Sequence, residues 1–354
     1  MLNYKSAQSG QRVRTVIIGL SHGHVTWILS KLQRADMEIV GFYEPDRELA
    51  QRYAAQYGFP LNLVYTDLNA LLDAVKPEAA AVFGSIYAHL EAVEACAPRG
   101  IHVMVEKPLA VSLQHAERMA SLAGQHKIHL ITNFETTWYA STYAARAAIE
   151  EPACGPLRKV VVHDGHQGPV EIGCGPEFLA WLTAPVLNGG GAVVDFGCYG
   201  ANLITWLMNG KGPRSVTALL QTNKPEIYPK VDDEATILLG YDGAQGIIQG
   251  SWNWPVGRKD MELYAQNGYA IAVDDLTLRT ALRGTGRERS ETTRHLPPAP
   301  ERVRDPFAYL AAVVRGDEIV TPGNLWSLEN NLTVVRILDA ARESARSGKS
   351  VILE

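Results

Sequence analysis

The first third of the chain alternates short apolar runs with helical patterns, and this repetition limits the fold more than any other feature. The apolar runs are continuous, which is typical of parallel strands that are buried on both faces. Strand–helix alternation of this kind predicts a doubly wound parallel α/β sheet. The predicted strands cover residues 13–18, 38–43, 63–65, 79–83, 102–105 and 128–131, and the predicted helices cover 25–34, 46–57, 88–99 and 112–126.

The pattern changes after Asn133. Strand-like segments now follow one another with short turns such as Tyr241-Asp242-Gly243, which predicts a mostly antiparallel sheet. Residues 193–208 predict one long amphipathic helix, and the Arg-, Thr- and Pro-rich stretch 279–304 predicts an exposed loop. The predicted strands cover 158–163, 215–221, 234–240, 246–252, 261–265 and 269–273. We therefore divide the chain into a first domain, residues 1–133, and an α+β second domain, residues 134–354.

Composition excludes several classes of partner. With 354 residues, 46% of them hydrophobic, the chain can bury one or two sizeable cores. The net charge of −5 gives no reason to expect a nucleic acid or an anionic membrane as partner, and no apolar run approaches the length of a membrane span. The cysteines lack metal or disulfide spacing, which predicts reduced thiols and a cytoplasmic location; they are Cys96, Cys154, Cys174 and Cys198.

A glycine turn follows the first strand directly, and its sequence is Gly19-Leu20-Ser21-His22-Gly23-His24. Glycine lets backbone amides approach a pyrophosphate, and the start of the next helix favours that anion. The usual spacing is GxGxxG, whereas Ser21 and His24 hold the second and third glycine places. We expect Gly19, Ser21, His22, Gly23 and His24 to contact a dinucleotide, although a strand–helix turn without a ligand is also possible. His22 and His24 lack a third ligand in the turn, so we predict no metal.

Glu44 ends the second predicted strand, where an acidic residue often binds the ribose hydroxyls of a dinucleotide. Its charge would repel a 2′-phosphate, which favours NAD over NADP. The neighbouring Arg47 keeps NADP open.

The fifth predicted strand ends in Glu106-Lys107-Pro108. Ligands bind at the carboxyl ends of parallel strands, so Lys107 is a candidate to meet the substrate. Asp195 and Tyr199 lie four positions apart and would share one helix face. If that face looks toward Lys107, the three side chains can handle the proton of an alcohol. We expect the ammonium to favour the phenolate form of Tyr199, and Asp195 to orient the lysine.

These motifs together resemble the Gfo/Idh/MocA oxidoreductases, since Glu106-Lys107-Pro108 is followed by Asn133, by Gly189-Gly190-Gly191 and by Asp195-Phe196-Gly197-Cys198-Tyr199. The resemblance covers nearly the whole chain, with Tyr199 where many members have His. It implies a Rossmann domain, a nicotinamide cofactor and a second domain whose large open sheet forms a homodimer or homotetramer. It also implies that Glu106, Lys107 and Asn133 line the nicotinamide end, with Gly84, Ser85 and His89 along the cofactor.

Further side chains are typical of a carbohydrate site. Aromatic faces beside hydrogen-bonding groups suit sugar rings, and His166, Trp181 and Trp138 are the candidates for substrate binding. We predict hydride transfer between NAD and a secondary alcohol or ketone of a sugar, cyclitol or similar polyol. Two alternatives remain open. One is an NAD-dependent glycosidase that oxidises its substrate transiently and eliminates a substituent, and the other is a non-catalytic dinucleotide-binding regulator.

Overall fold

The computed structural model describes residues 12–284, 289–298 and 305–353. The first sheet contains strands β1 (Val13–Ile18), β2 (Met37–Tyr43), β3 (Val64–Tyr65), β4 (Ala79–Val82), β5 (His102–Glu106) and β6 (Leu130–Asn133). All are parallel, in the order β3-β2-β1-β4-β5-β6, which confirms the predicted Rossmann fold. The intervening helices are α1 (Val25–Leu29), α2 (Arg47–Tyr57), α3 (Leu68–Val75), α4 (Ala88–Cys96) and α5 (Leu113–His126).

The helix α1 ends at Leu29, five residues earlier than the predicted end at Arg34. The guanidinium group of Arg34 donates to Asp36 at 2.6 Å and to Asp305 at 3.0 Å. These bonds hold the segment after Leu29 in an irregular path toward the C-terminal part of the chain.

The second sheet has nine strands, β7 (Leu157–Gly165), β8 (Ser215–Gln221), β9 (Glu234–Tyr241), β10 (Ala244–Ser251), β11 (Arg258–Ala265), β12 (Gly268–Ala272), β13 (Thr277–Arg283), β14 (Arg289–His295) and β15 (Val351–Ile352). Their order is β14-β13-β12-β11-β7-β10-β9-β8-β15. Only the β7–β10 pair is parallel in the described sheet, so the prediction of a mostly antiparallel sheet is confirmed.

The remaining helices are α6 (Ala140–Glu150), α7 (Pro176–Leu182), α8 (Pro185–Asn188), α9 (Ala192–Asp195), α10 (Gly197–Leu207), α11 (Pro306–Arg315) and α12 (Leu328–Ser347). Helices α6, α10 and α12 pack on one face of the second sheet. Glycines in β10 and α10 bring these two elements close, because a Cβ on Gly200 would lie 2.5 Å from Ile248. Among the described helices, none is long and apolar enough to span a membrane.

The predicted exposed loop over residues 279–304 is wrong for much of its length. β13 and β14 pair antiparallel there, and they form the outer edge of the second sheet. Threonine favours strands, and charged side chains are common on edge strands, so a composition that looks loop-like suits an edge hairpin. Residues 285–288 and 299–304 of this stretch lie outside the described residues.

The helix α11 returns to the first sheet from the far end of the chain. Phe307, Leu310 and Val314 are buried in the same apolar cluster as Val13 and Ile17 of β1. The division of the chain after Asn133 therefore remains a prediction, since a late helix completes the core of the first sheet.

Candidate functional site

Lys107 follows β5, whose five residues are all buried. Its ammonium group donates to Oδ1 of Asp195 at 2.5 Å and to the backbone oxygen of Asp195 at 3.0 Å. Burial alone would lower the pKa of Lys107, but the Asp195 carboxylate raises it above its ordinary value. Lys107 is therefore a buried, permanently charged donor at the carboxyl edge of the first sheet.

A break between α9 and α10 makes this contact possible. The amide of Tyr199 bonds to the oxygen of Phe196 and not to that of Asp195, so the Asp195 carbonyl is free to accept from Lys107. The predicted single helix over 193–208 is therefore wrong at Phe196. Asp195 and Tyr199 still converge on Lys107, although they belong to two short helices.

Asp195 has a second partner that sequence reasoning missed. The indole N–H of the fully buried Trp252 donates to Oδ2 of Asp195 at 3.0 Å. Burial would raise the pKa of Asp195, but Lys107 and these hydrogen bonds lower it. Trp252 lies at the end of the predicted strand over residues 246–252, and no local pattern there indicates a partner for it. The structure instead gives it the role of fixing the carboxylate that holds Lys107.

Two ammonium groups lie near the ring of Tyr199. Lys107 Nζ is 5.2 Å and Lys259 Nζ is 4.6 Å from the ring centroid, which is cation–π geometry. Burial and the nearby carboxylates Glu135 and Asp164 raise the pKa of Tyr199 well above its ordinary value. The expectation that Lys107 favours the phenolate is therefore wrong, because the ammonium faces the ring and burial dominates.

A second polar group forms around Lys259, close to the Tyr199 ring. Lys259 donates to Glu135 Oε2 at 2.6 Å, and Tyr139 donates to the other oxygen of Glu135. Asp164 of β7 pairs in register with Lys259 of β11. The polar run from His163 to His166 at a strand end is the one sequence feature that indicates a polar group here. No local pattern marks Lys259 as part of it.

The glycine turn lies tightly against the end of β4. Gly19 has φ +81°, and a Cβ there would lie 2.7 Å from the backbone nitrogen of Gly84. The amide of His22 donates to the oxygen of Phe83 at 2.9 Å. Ser85 accepts from the amide of Ala88 at the start of α4. Gly23 is open, with no atom within 4 Å of a Cβ position.

Two predicted cofactor residues are buried and polar. The carboxylate of Glu44 accepts from the amide of Leu20 at 2.8 Å and from that of Asp46 at 2.9 Å, which ties the glycine turn to the end of β2. Burial raises the pKa of Glu44, and each oxygen keeps a further lone pair. His89 bonds through Nδ1 to the oxygen of Leu109, burial lowers its pKa to about 4, and its buried Nε2 has no partner among the described residues.

The Glu106 carboxylate is hydrogen-bonded to side chains that are predicted to contact the cofactor. Asn133 donates to its Oε1 at 2.6 Å, and Nδ1 of His24 lies 3.0 Å from its Oε2. Burial would raise the pKa of Glu106, but His24, His22 and Asn133 lower it to about 2. The carboxylate is thus ionised and aligned beside Lys107.

His22, His24 and Glu106 together form a possible metal-ligand cluster, so the argument that a third ligand is missing is wrong. The hydrogen bonds nevertheless oppose ligation. Nδ1 of His22 accepts the amide N–H of His24 at 3.1 Å, so the ring proton of neutral His22 is on Nε2. Nε2 is the atom that faces Glu106, and a protonated nitrogen does not bind a metal. The absence of a metal stays a prediction.

The three residues predicted to bind the substrate do not all lie at the candidate site. The His166 ring lies 4.9 Å from that of Phe196, and burial lowers the pKa of His166 below its ordinary value. Trp181 of α7 packs 5.5 Å from His22, over the glycine turn. Trp138 donates to Asn133 at 2.9 Å and stacks on Trp326. His166 and Trp181 thus lie near the candidate site, whereas Trp138 is hydrogen-bonded to the side chain of Asn133.

Comparison with known proteins identifies the class. The model of the oxidoreductase family with an NAD-binding Rossmann fold matches residues 13–134, and the model of the GFO/IDH/MocA C-terminal domain matches residues 142–271. The chain belongs to the Gfo/Idh/MocA oxidoreductase family. It is accordingly an NAD(P)-dependent dehydrogenase, and NAD is its cofactor.

Named relatives are distant. The chain is 25% identical to trans-1,2-dihydrobenzene-1,2-diol dehydrogenase of Xenopus tropicalis, over 75% of this chain and 76% of that protein. It is 26% identical to D-glucoside 3-dehydrogenase of Escherichia coli K12, over 60% of this chain and 59% of that protein. An inositol dehydrogenase homolog from Azotobacter vinelandii, solved with NAD+, has the same fold, with 19% identity, full coverage of both chains and a TM-score of 0.81.

Proposed function

We propose that this protein transfers a hydride between NAD and a secondary alcohol or ketone of a sugar, cyclitol or similar polyol. The observation that carries the proposal is the buried Lys107 ammonium, held by both the carboxylate and the carbonyl of Asp195 beside the Tyr199 ring. An isolated buried charge is costly, and a pair so placed at a ligand-binding sheet edge suits catalysis. The relatives that act on a diol and a glucoside support the substrate class.

The residues present fit a dinucleotide. Gly19 and Gly84 approach closely at the sheet edge, and a Cβ on Gly19 would prevent this approach. Because neither residue has a side chain, the backbone there is open to a dinucleotide. The buried Nε2 of His89 is a ready acceptor in the same region. We propose that the phosphates are bound by the glycine turn, through Gly19, Ser21, His22, Gly23 and His24. The ribose is bound by Glu44. The middle of the cofactor contacts Gly84, Ser85 and His89, and the nicotinamide end contacts Glu106 and Asn133. An acidic side chain at this position disfavours a 2′-phosphate, so Glu44 favours NAD over NADP.

NAD supplies the hydride acceptor or donor, and the chain supplies the proton chemistry. Lys107 remains charged, so it stabilises negative charge that develops on the substrate oxygen. Tyr199, protonated at neutral pH, is a second donor beside that oxygen. Asp195 and Trp252 hold Lys107 in place.

This arrangement predicts different pH dependences for the two directions. The pKa values of Lys107 and Tyr199 are both raised, so at neutral pH Lys107 is charged and Tyr199 holds the proton that ketone reduction requires. Alcohol oxidation needs a deprotonated acceptor, so its kcat/KM should rise by up to about tenfold per pH unit from pH 7 to 10. Initial rates of NADH formation and consumption measure both profiles. A flat oxidation profile over this range would contradict the assignment.

A dehydrogenase screen tests the function itself. Sugars, inositols and glycosides are offered to the purified chain with NAD and with NADP, and NADH or NADPH formation is followed. We expect NAD reduction with at least one neutral polyol. Release of an aglycone without net NADH would instead identify a glycosidase that oxidises its substrate transiently, and cofactor binding without any turnover would identify a regulator.

We further propose that the outer face of the second sheet joins two or more copies of the chain. The Leu219 and Leu238 side chains are 63% and 48% exposed on this face, and Ile247 is the cross-strand neighbour of Leu238. Exposed apolar side chains on a sheet favour self-association. Light scattering after size exclusion should show a dimer or tetramer, and Leu238→Glu should shift it toward monomer. A monomeric wild-type chain would overturn this proposal.

A further inference from the structure

The run Gly189-Gly190-Gly191 directly precedes the helix that carries Asp195, and it has no part in the proposed chemistry. A Cβ on Gly191 would overlap the backbone oxygen of Asp232, which lies just before β9. The amide of Ala192 donates to this same oxygen at 2.9 Å. A glycine is needed where one backbone approaches another this closely. The glycine run therefore allows the Asp232 backbone to lie against the start of α9.

The side chain of Asp232 binds the same helix start. Its Oδ1 accepts the amide N–H of Gly191 at 2.8 Å, and its Oδ2 accepts that of Val193 at 2.7 Å. With its backbone oxygen, Asp232 thus accepts three successive amides, those of residues 191–193. The first amides of a helix have no partner within the helix, and a helix of four residues is too short to be stable alone. The position of α9 therefore depends on Asp232.

Helix α9 ends at Asp195, whose carboxylate and carbonyl both accept from Lys107. The amide of Asp195 donates to the oxygen of Gly191 at 2.9 Å, and Asp232 accepts the amide of that same glycine. At ~1.5 Å per residue, the four residues of this helix span roughly 6 Å. A shift at one end of so short a helix is transmitted to the other end. The contact between Lys107 and Asp195 is thus one helical turn away from Asp232.

The next residue in the chain, Asp233, holds the second partner of Asp195. The backbone oxygen of Asp233 accepts the amide of Trp252 at 2.8 Å, and the indole of Trp252 donates to Asp195 at 3.0 Å. The carboxylate of Asp233 is itself fixed, because it accepts the amides of Asn223 and Lys224 at 2.8 and 2.7 Å. Two adjacent residues therefore fix both the helix that carries Asp195 and the indole that donates to it.

We propose that Asp232 is a positioning residue of the reaction centre, which aligns Lys107 through the short helix that ends in Asp195. The inference rests on the proposed function, in which Lys107 stabilises charge on the substrate oxygen. Since Lys107 bonds to the backbone of Asp195 as well as to its side chain, a displaced α9 displaces the ammonium. A misplacement of about 1 Å costs about 10²-fold in rate. The residues proposed to bind NAD lie on the loops of the first sheet and do not depend on α9.

The test variant is Asp232→Asn, which keeps the shape of the side chain but turns an N–H donor toward one of the two amides. We expect kcat/KM to fall by about 10- to 100-fold through kcat, with the Kd for NADH unchanged. Asp232→Ser, which keeps an oxygen for one amide, should show a loss in the same sense. A folded Asp232→Asn variant with unchanged kcat/KM, or one that loses NADH binding to the same extent as kcat/KM, would overturn the proposal.

Asp305→Asn is the matched control for a lost helix cap. Asp305 accepts the amides of Phe307 and Ala308 at 3.0 and 2.8 Å at the start of α11, and it also pairs with Arg34. The variant should lower the melting temperature at least as much as Asp232→Asn, yet leave kcat/KM within about twofold of wild type. An equal kinetic loss in both variants would overturn the proposal, because lost stability alone would then explain the effect.

A signal that does not depend on turnover separates this inference from the proposed function. The chain has seven tryptophans, so 15N labelling of the indoles gives a spectrum in which Trp252→Phe identifies the Trp252 signal. In Asp232→Asn this signal should move toward that of an indole without an acceptor, which Asp195→Leu provides, and in Asp305→Asn it should stay in place. If the wild-type chain oxidises no alcohol, the proposed function fails, but this shift would still support the positioning role. A Trp252 signal that is unmoved in Asp232→Asn would overturn it.

Discussion

Replacing Lys107 with methionine is expected to lower kcat/KM by at least about 10³-fold while NAD binding persists. The methionine side chain fills similar space but has no charge to stabilise the substrate oxygen. The ammonium is the one group in the described site that contacts both the carboxylate and the carbonyl of Asp195. Steady-state kinetics with the best screened polyol and titration of intrinsic fluorescence with NADH measure the two effects separately.

The same substitution should also destabilise the fold, because it leaves the buried Asp195 carboxylate without its cation. Breaking a buried pair in this way costs about 3–5 kcal/mol. The double variant Lys107→Met with Asp195→Asn should recover most of this stability and none of the activity. Lys349→Met, on an exposed site after α12, is the control for a lost lysine charge. Turnover that survives in Lys107→Met would remove Lys107 from the reaction.

Gly19→Ala should reduce the free energy of unfolding by about 2–5 kcal/mol and abolish NADH binding. A Cβ at this position would meet the backbone nitrogen of Gly84 at 2.7 Å, and φ +81° is itself unfavourable for alanine. Relief of the clash must separate the ends of β1 and β4, where the dinucleotide is expected to lie. Urea unfolding and NADH titration measure the two losses.

Two other glycines separate the causes. Gly58→Ala has φ +78° but no atom within 4 Å of the new Cβ, so it should cost only about 1 kcal/mol. Gly23→Ala, in the same turn as Gly19, has neither positive φ nor a close neighbour and should leave stability within about 0.5 kcal/mol. If Gly19→Ala behaves like Gly23→Ala, the close approach to Gly84 is not what the turn requires.

The sequence was sufficient for the sheets because local chemistry and tertiary packing agree in them. Continuous apolar runs in β1, β4 and β5 give parallel strands buried on both faces, and the carboxyl edge then follows from the direction of the chain. That edge brings Lys107 toward Asp195, as expected from sequence. The convergence of Asp195 and Tyr199 on Lys107 was also expected. Despite the helix break at Phe196, the four-residue spacing leaves both side chains facing Lys107.

Other features depend on contacts that no local pattern encodes. The raised pKa of Tyr199 follows mainly from its burial, which sequence spacing does not reveal. The pairing of Asp164 with Lys259 depends on the register of two strands that are distant in the chain. The ion pair of Arg34 after α1 with Asp305 joins residues that lie near opposite ends of the sequence. Each of these features depends on residues that are far apart in the sequence.

The return of α11 to the first sheet bears on how the protein matures on the ribosome. A nascent chain that has reached Asn133 already contains all six strands of the first sheet, yet Phe307, Leu310 and Val314 have not been made, so the apolar side chains that they cover on β1 stay in contact with water. Translation must pass through strands β7 to β14 of the second sheet before that cover arrives. The first sheet is therefore synthesised first, but its core is completed only when α11 has been made. A truncated product that lacks α11 would expose an apolar surface and would be prone to aggregate.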